Sequence, residues 1–169
     1  MKPYEYMLAT RETAIYPTEV ALPYLVLGLT GEIGELLHAD SDNLAKEAGD
    51  VMWYAFRIID ECHVAISGGW EYKEADTPAD SPMLRYTVGT YVHVSRLAEI
   101  AKKVIRDSGG KIPESKIDNI LDNVMSILGV LQSFVESNGL TLEQCAIANI
   151  EKLMSRKQRN VIQGSGDDR

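Results

Sequence analysis

With 169 residues, 45% of them hydrophobic, the chain has the length and apolar content of one globular domain. Its 25 acidic residues against 17 basic ones give a formal charge of −8, which excludes the positive surface that backbone-driven DNA or RNA binding needs. The N-terminal MKPYEYMLATRET lacks the apolar core of a signal peptide, and the apolar run at 20–29 is too short to cross a bilayer. The expectation is therefore a cytoplasmic protein with no membrane partner and no nucleic-acid polymer as partner. Cys62 and Cys145 show no zinc spacing and read as two buried or partly buried thiols.

In chain order, residues 3–15 predict a short helix with Leu8, Ile15 and Tyr4 turned inward, stopped by Tyr16-Pro17. A second helix is predicted over 22–38, with Pro23 in its first turn and Leu25, Leu29, Ile33 and Leu36 as its apolar stripe. Gly28, Gly31 and Gly34 lower its propensity and admit a close neighbour or a ligand. The polar turn 39–42 leads to a helix over 43–63 with Leu44, Val51, Tyr54, Ile58 and Ile59 as its core face, so these two helices form an antiparallel hairpin. Residues 67–82 read as a long loop, in which Trp70 packs against the core, anchors the loop or stacks on a ligand. Helices follow over 83–107, ended by Ser108-Gly109-Gly110, and over 113–137, ended by Asn138-Gly139. Thr141 caps a last helix that runs to about 158, before a polar, glycine-bearing tail. The fold class is all-α, an antiparallel helical bundle in one domain over 1–169.

Four acids carry the chemical signal. Glu32 and Glu35 stand three apart on one helix, and Glu47 and Asp50 repeat that spacing on the next. Residues facing each other across an antiparallel hairpin have equal index sums, as Glu35 with Glu47 and Glu32 with Asp50 do. Four converging carboxylates repel one another, and a hard cation with oxygen ligands resolves the conflict. Magnesium is the expected ion, with manganese as a substitute. A rival di-iron site would use Glu35-x-x-His38 and Asp60-x-x-His63, but the register puts His63 roughly 20 Å from the other acids. His93 reads as structural or exposed.

The basic side is weaker by spacing alone. Lys102, Lys103 and Arg106 end one helix, and Asn149, Lys152 and Arg156 share one face of the last helix. All are candidates for holding phosphate or nucleotide. The tail Gly164–Asp168 either wraps a ligand or frays.

The stretch GLTGEIGELLHADSDNLAKEAGDVMWYAFRI resembles the ExxE…ExxD metal helices of the MazG-like all-α nucleoside triphosphate pyrophosphohydrolases. The ending NIEKLMSRKQRNVIQGSGDDR is similar to the Asn-x-x-Lys-Leu-x-x-Arg element and Gly-Ser-Gly-Asp-x-Arg close of a subgroup that includes phage-type proteins. The likeness is poor over 67–85. It implies the MazG-like bundle fold and magnesium-dependent cleavage of a nucleoside triphosphate, with deoxynucleotides the favoured class, to monophosphate and pyrophosphate. Glu32, Glu35, Glu47 and Asp50 would hold metal, with Glu35 or Glu32 also orienting the attacking water. Lys102, Lys103, Asn149, Lys152, Arg156, Asp167 and Arg169 would bind substrate. It also implies a homodimer or a dimer-of-dimers tetramer, consistent with apolar residues such as Leu121, Val124, Leu128, Leu131 and Val135 needing a partner layer. The alternative is a non-enzymatic helical module that binds a metal or a nucleotide.

Overall fold

Each helix end is set by local chemistry. In the computed structural model, which describes residues 1–73 and 80–163, α1 spans Pro3–Thr10, α2 Ala21–Leu36, α3 Leu44–Glu61, α4 Pro82–Ser108, α5 Glu114–Ser137 and α6 Leu142–Gln158. Single 3₁₀ turns at Arg11–Thr13 and Thr18–Val20 join α1 to α2. The Asp40 carboxylate accepts from the Asn43 amide at 3.0 Å and so closes the α2–α3 turn. Ser81 caps α4 by accepting from the Leu84 amide at 3.1 Å, with Pro82 in the first turn. Gly109, at φ 58°, ends α4 in the left-handed conformation that glycine adopts without strain. Thr141 and Gln144 form a reciprocal capping box at the start of α6. No strand occurs among the described residues, so the architecture is the expected all-α bundle.

The α2–α3 hairpin packs on an α4–α5 hairpin, and α6 and α1 close over the remaining faces of α3. Helix α3 is therefore buried nearly all round, from Leu44 to Ile59, and even takes Glu47 and Arg57 inside. Arg57 is satisfied there by Asp60 at 2.6 Å, Glu61 at 3.2 Å and the Tyr16 hydroxyl at 2.9 Å. Arg11 also grips both oxygens of Asp60, and neither Asp60 nor His63 joins the acidic cluster found among the described residues. Helices α2 and α4 run antiparallel. The field of Glu32, late in α2, reaches Tyr86, early in α4, while Gly110 beyond α4 lies against the Glu19 carbonyl before α2.

Three expectations change. The inward face of α1 is Pro3, Tyr6, Met7 and Thr10, whereas Tyr4, Leu8 and Ile15 are exposed. Positions 3, 6, 7 and 10 are one helical stripe, and it covers α3 and α6 because those two helices leave a furrow on that side. Tyr54 lies at the edge of the core, its ring over Gly28, where a Cβ would sit 2.0 Å from a ring carbon. Four of the five α5 residues read as a partner surface, Val124, Leu128, Leu131 and Val135, are 0% exposed within this chain, and Leu121 is partly buried.

Trp70 takes the packing role. Its indole donates to the Met1 carbonyl at 2.7 Å, and its ring lies against Tyr6 and Phe56. Residues 74–79 of the expected 67–82 loop lie outside the described residues. His93 is structural, paired with Asn123 at 3.0 Å. Both cysteines are free and buried, and burial pushes their thiols up to about 11. No helix among the described residues is long and apolar enough to cross a membrane.

Candidate metal centre

Glu32 comes from α2, and Glu47 and Asp50 come from α3. The hairpin brings one oxygen of each within 4.8 Å of the others. Glu32 and Asp50 meet as the register pairs them, and Glu47 joins them without its register partner Glu35. Glu35 stands apart: it is exposed and lines an open groove of about 570 Å³ with Gly31, Gly34, His38, Asp40 and Glu47. A Cβ added at Gly31 or Gly34 would meet nothing within 4 Å, so these two glycines pave the groove, whereas Gly28 serves Tyr54. An aromatic row of Tyr16, Tyr24, Tyr54 and Trp53 continues from the acids along α2 and α3, with ring centroids 4.9–6.4 Å apart.

Burial first, and then the charges of Asp50, Glu35 and Glu47, push the Glu32 carboxyl up to about 8, against the opposing pull of Lys152. Glu47 is 8% exposed. Asp50 is held from α6: its Oδ1 accepts from the Asn149 amide at 2.7 Å, and its Oδ2 pairs with the Lys152 ammonium. The Tyr86 hydroxyl is buried with no hydrogen-bond partner, and it lies within the field of Glu32. Three hard oxygen donors, one of them raised out of the carboxylate range, fit a hard divalent cation such as magnesium or manganese. The arrangement can chelate.

No family model and no solved structure matches the chain. It is 31% identical over 83 residues to the Gene 37 protein of Mycobacterium phage L5, a match that covers 49% of this chain and 73% of that protein. The chain belongs to that protein's family. The relationship agrees with the phage character expected from the C-terminal motif, and the family's name states no activity, so the chemistry must be argued from the site.

In this phage-related chain the two basic groups separate. Asn149 and Lys152 meet the acids, and Arg156, on the same face of α6, is buried at 5% exposure. Lys102 and Lys103 do not meet them within one chain. They pair with Glu99 and lie 16 and 17 residues beyond Tyr86, a rise of roughly 24 Å along α4. Arg106 pairs with Asp107. Asp167 and Arg169, with the rest of the 164–169 tail, lie outside the described residues. Two groups escaped the sequence reading. Tyr6, on the other stripe of α1, donates to Asn149 at 2.9 Å. Gly49 has no room for a side chain, because a Cβ would lie 2.5 Å from that of Asn149. The 3, 6, 7, 10 pattern was a usable signal for Tyr6. Nothing local marks Gly49.

Proposed function

We propose that this chain is a divalent-cation-binding helical protein, and that its chemistry is hydrolysis of a nucleoside triphosphate to monophosphate and pyrophosphate. The observation that supports cation binding is the approach of three carboxylates from two helices, with a fourth, Glu35, on the adjoining groove. The hydrolase reading adds the resemblance of the Glu32, Glu35, Glu47 and Asp50 motif to MazG-like pyrophosphohydrolases. A cation held there would polarise a phosphate and acidify a bound water.

The chain's own groups then divide the work. Glu32, Glu47 and Asp50 would hold the cation. Glu35, exposed and outside the trio, is placed to accept a proton from an attacking water. The groove paved by Gly31 and Gly34 gives the phosphates a path with no side chain in the way. Lys152 is near enough to exchange Asp50 for a phosphate oxygen. Asn149 is a poorer nucleotide contact, since it is 0% exposed and both ends of its amide are engaged. The half-exposed Tyr24 and Tyr54 offer ring faces to a base, and a deoxynucleotide is the substrate class that the resemblance favours.

The non-enzymatic reading rests on the same acids and asks less of them, because chelation alone satisfies their mutual repulsion. One assay separates the two. Purified protein with magnesium or manganese, given a panel of ribo- and deoxyribonucleoside triphosphates, is expected to release pyrophosphate from at least one. Cation-dependent stabilisation without turnover of any member would favour the binding module, and release of orthophosphate alone would end the pyrophosphohydrolase reading.

We also propose a homodimer or dimer of dimers, now on different residues. Leu84, Val88 and Tyr91 form an exposed apolar stripe on α4, and Leu27 on α2 is 75% exposed. Light scattering should give a mass of two or four chains, and a monomer at micromolar concentration would contradict it.

A further inference from the structure

Asp50 is fixed by a line of donors that begins in α1. The Tyr6 hydroxyl lies 2.9 Å from Asn149 Oδ1, and Asn149 Nδ2 lies 2.7 Å from Asp50 Oδ1. We propose that Tyr6 and Asn149 are positioning residues for the cation site, holding the Asp50 carboxylate in the orientation that lets it act with Glu32 and Glu47. The inference rests on the proposed cation site. That site is the approach of Glu32, Glu47 and Asp50 oxygens to within 4.8 Å of one another.

Donor and acceptor chemistry gives this line its direction. A phenol at neutral pH has one proton to donate. Its neighbours here are the Asn149 side-chain oxygen and, at 3.2 Å, the Gly49 carbonyl, both acceptors. The Asp50 carboxylate, which only accepts, takes the NH₂ end of the Asn149 amide, and the oxygen end is left to accept from Tyr6. A flipped amide would set oxygen against carboxylate, and the Tyr6 bond helps to hold the amide plane in place. Tyr6 and Asn149 are each 0% exposed, so water does not compete for either bond. Glycine at 49 completes the device. Only without a Cβ at that position can Asn149 come close enough to reach the carboxylate of the next residue. Lys152 takes the other oxygen, so each oxygen of Asp50 has a partner on α6 and keeps a lone pair for a cation.

Outer partners that orient a ligand carboxylate change metal affinity about 10- to 100-fold when removed. Manganese titration of the full chain, read by the free-ion spin resonance signal, tests this without any substrate. Tyr6→Phe is expected to weaken manganese binding about 10-fold, and Asn149→Ala by at least as much. Met7→Ala is the control, because it loosens the same helix and touches none of these bonds. It should lower the melting temperature and leave manganese affinity unchanged. Should Asn149→Ala fail to fold, Tyr6→Phe still decides, since it removes a single oxygen. Wild-type affinity in Tyr6→Phe overturns the positioning role while the cation site stands. A wild type that binds no manganese overturns the site and the positioning role together.

Discussion

Asp50→Asn should lower kcat by roughly 100-fold or more and remove the rise in melting temperature that magnesium gives the wild type. The substitution keeps the size of the side chain and removes its charge. Asp50 is held on both oxygens, by Asn149 and Lys152, so its orientation is set from α6. The neutral amide would also set an NH₂ group against one of two donors that now face a carboxylate. The cation would lose a ligand, and the phosphate the charge that orients it. Metal-free Asp50→Asn keeps two acids where there were three in mutual repulsion, so it should fold at least as far as the lost Lys152 pairing permits. Turnover and melting temperature, each measured with and without magnesium, check the two halves together. Near-normal turnover with an unchanged magnesium shift would place the metal on other residues.

The second large effect concerns pH. Without divalent ions, the wild type should lose stability as pH rises from about 5 to about 8, and Glu32→Gln should largely remove that slope. Glu32 has its carboxyl pushed up to about 8 by burial and by the acids around it. In the unfolded chain the same group ionises near its ordinary value, about 4.3. Between those two values the folded protein holds a proton that the unfolded chain has lost, so raising the pH favours unfolding. Each pH unit in the window weakens the fold by at most about 1.4 kcal/mol, reduced by the solvent that still reaches the site. A bound cation reverses the sign, because it competes with the proton for the same oxygens and gains affinity as pH rises. Urea titrations at pH 5.5 and 8.5 in chelator, for wild type and Glu32→Gln, read the slope directly. Equal slopes in the two proteins would mean that Glu32 ionises normally.

The hairpin and its acids were legible because a helix pair joined by a short turn obeys one register. That register brought Glu32 and Asp50 together, and Glu47 joins them. Glu35 stays outside because it is on the exposed side of α2, whereas Glu47 at the same three-residue spacing from Asp50 is buried on α3. Several helix ends were legible for a similar local reason: Gly109, Gly139 and Thr141 act within a single turn of chain. What failed was anything decided by a distant neighbour. Which stripe of α1 goes inward depends on the furrow between α3 and α6, and the polarity of α1 offered two stripes. Four of the five α5 residues read as a partner surface are covered by α4 and α3 of the same chain. Lys102 and Lys103 match the chemistry of a phosphate site, but spacing on one helix carries no information about which end of the bundle that helix presents.

The line from Tyr6 through Asn149 to Asp50 also has a place in time. Its two bonds join residues 143 and 99 positions apart in sequence. At roughly 5–20 residues per second of synthesis, Asp50 leaves the ribosome about 5–20 s before the residue that orients it. During that interval α2 and α3 can pair, and the three acids can meet, with neither Asn149 nor Lys152 present to hold Asp50. A nascent chain at that stage would carry the carboxylates without their scaffold. Fixing of the Asp50 carboxylate therefore waits for the arrival of α6.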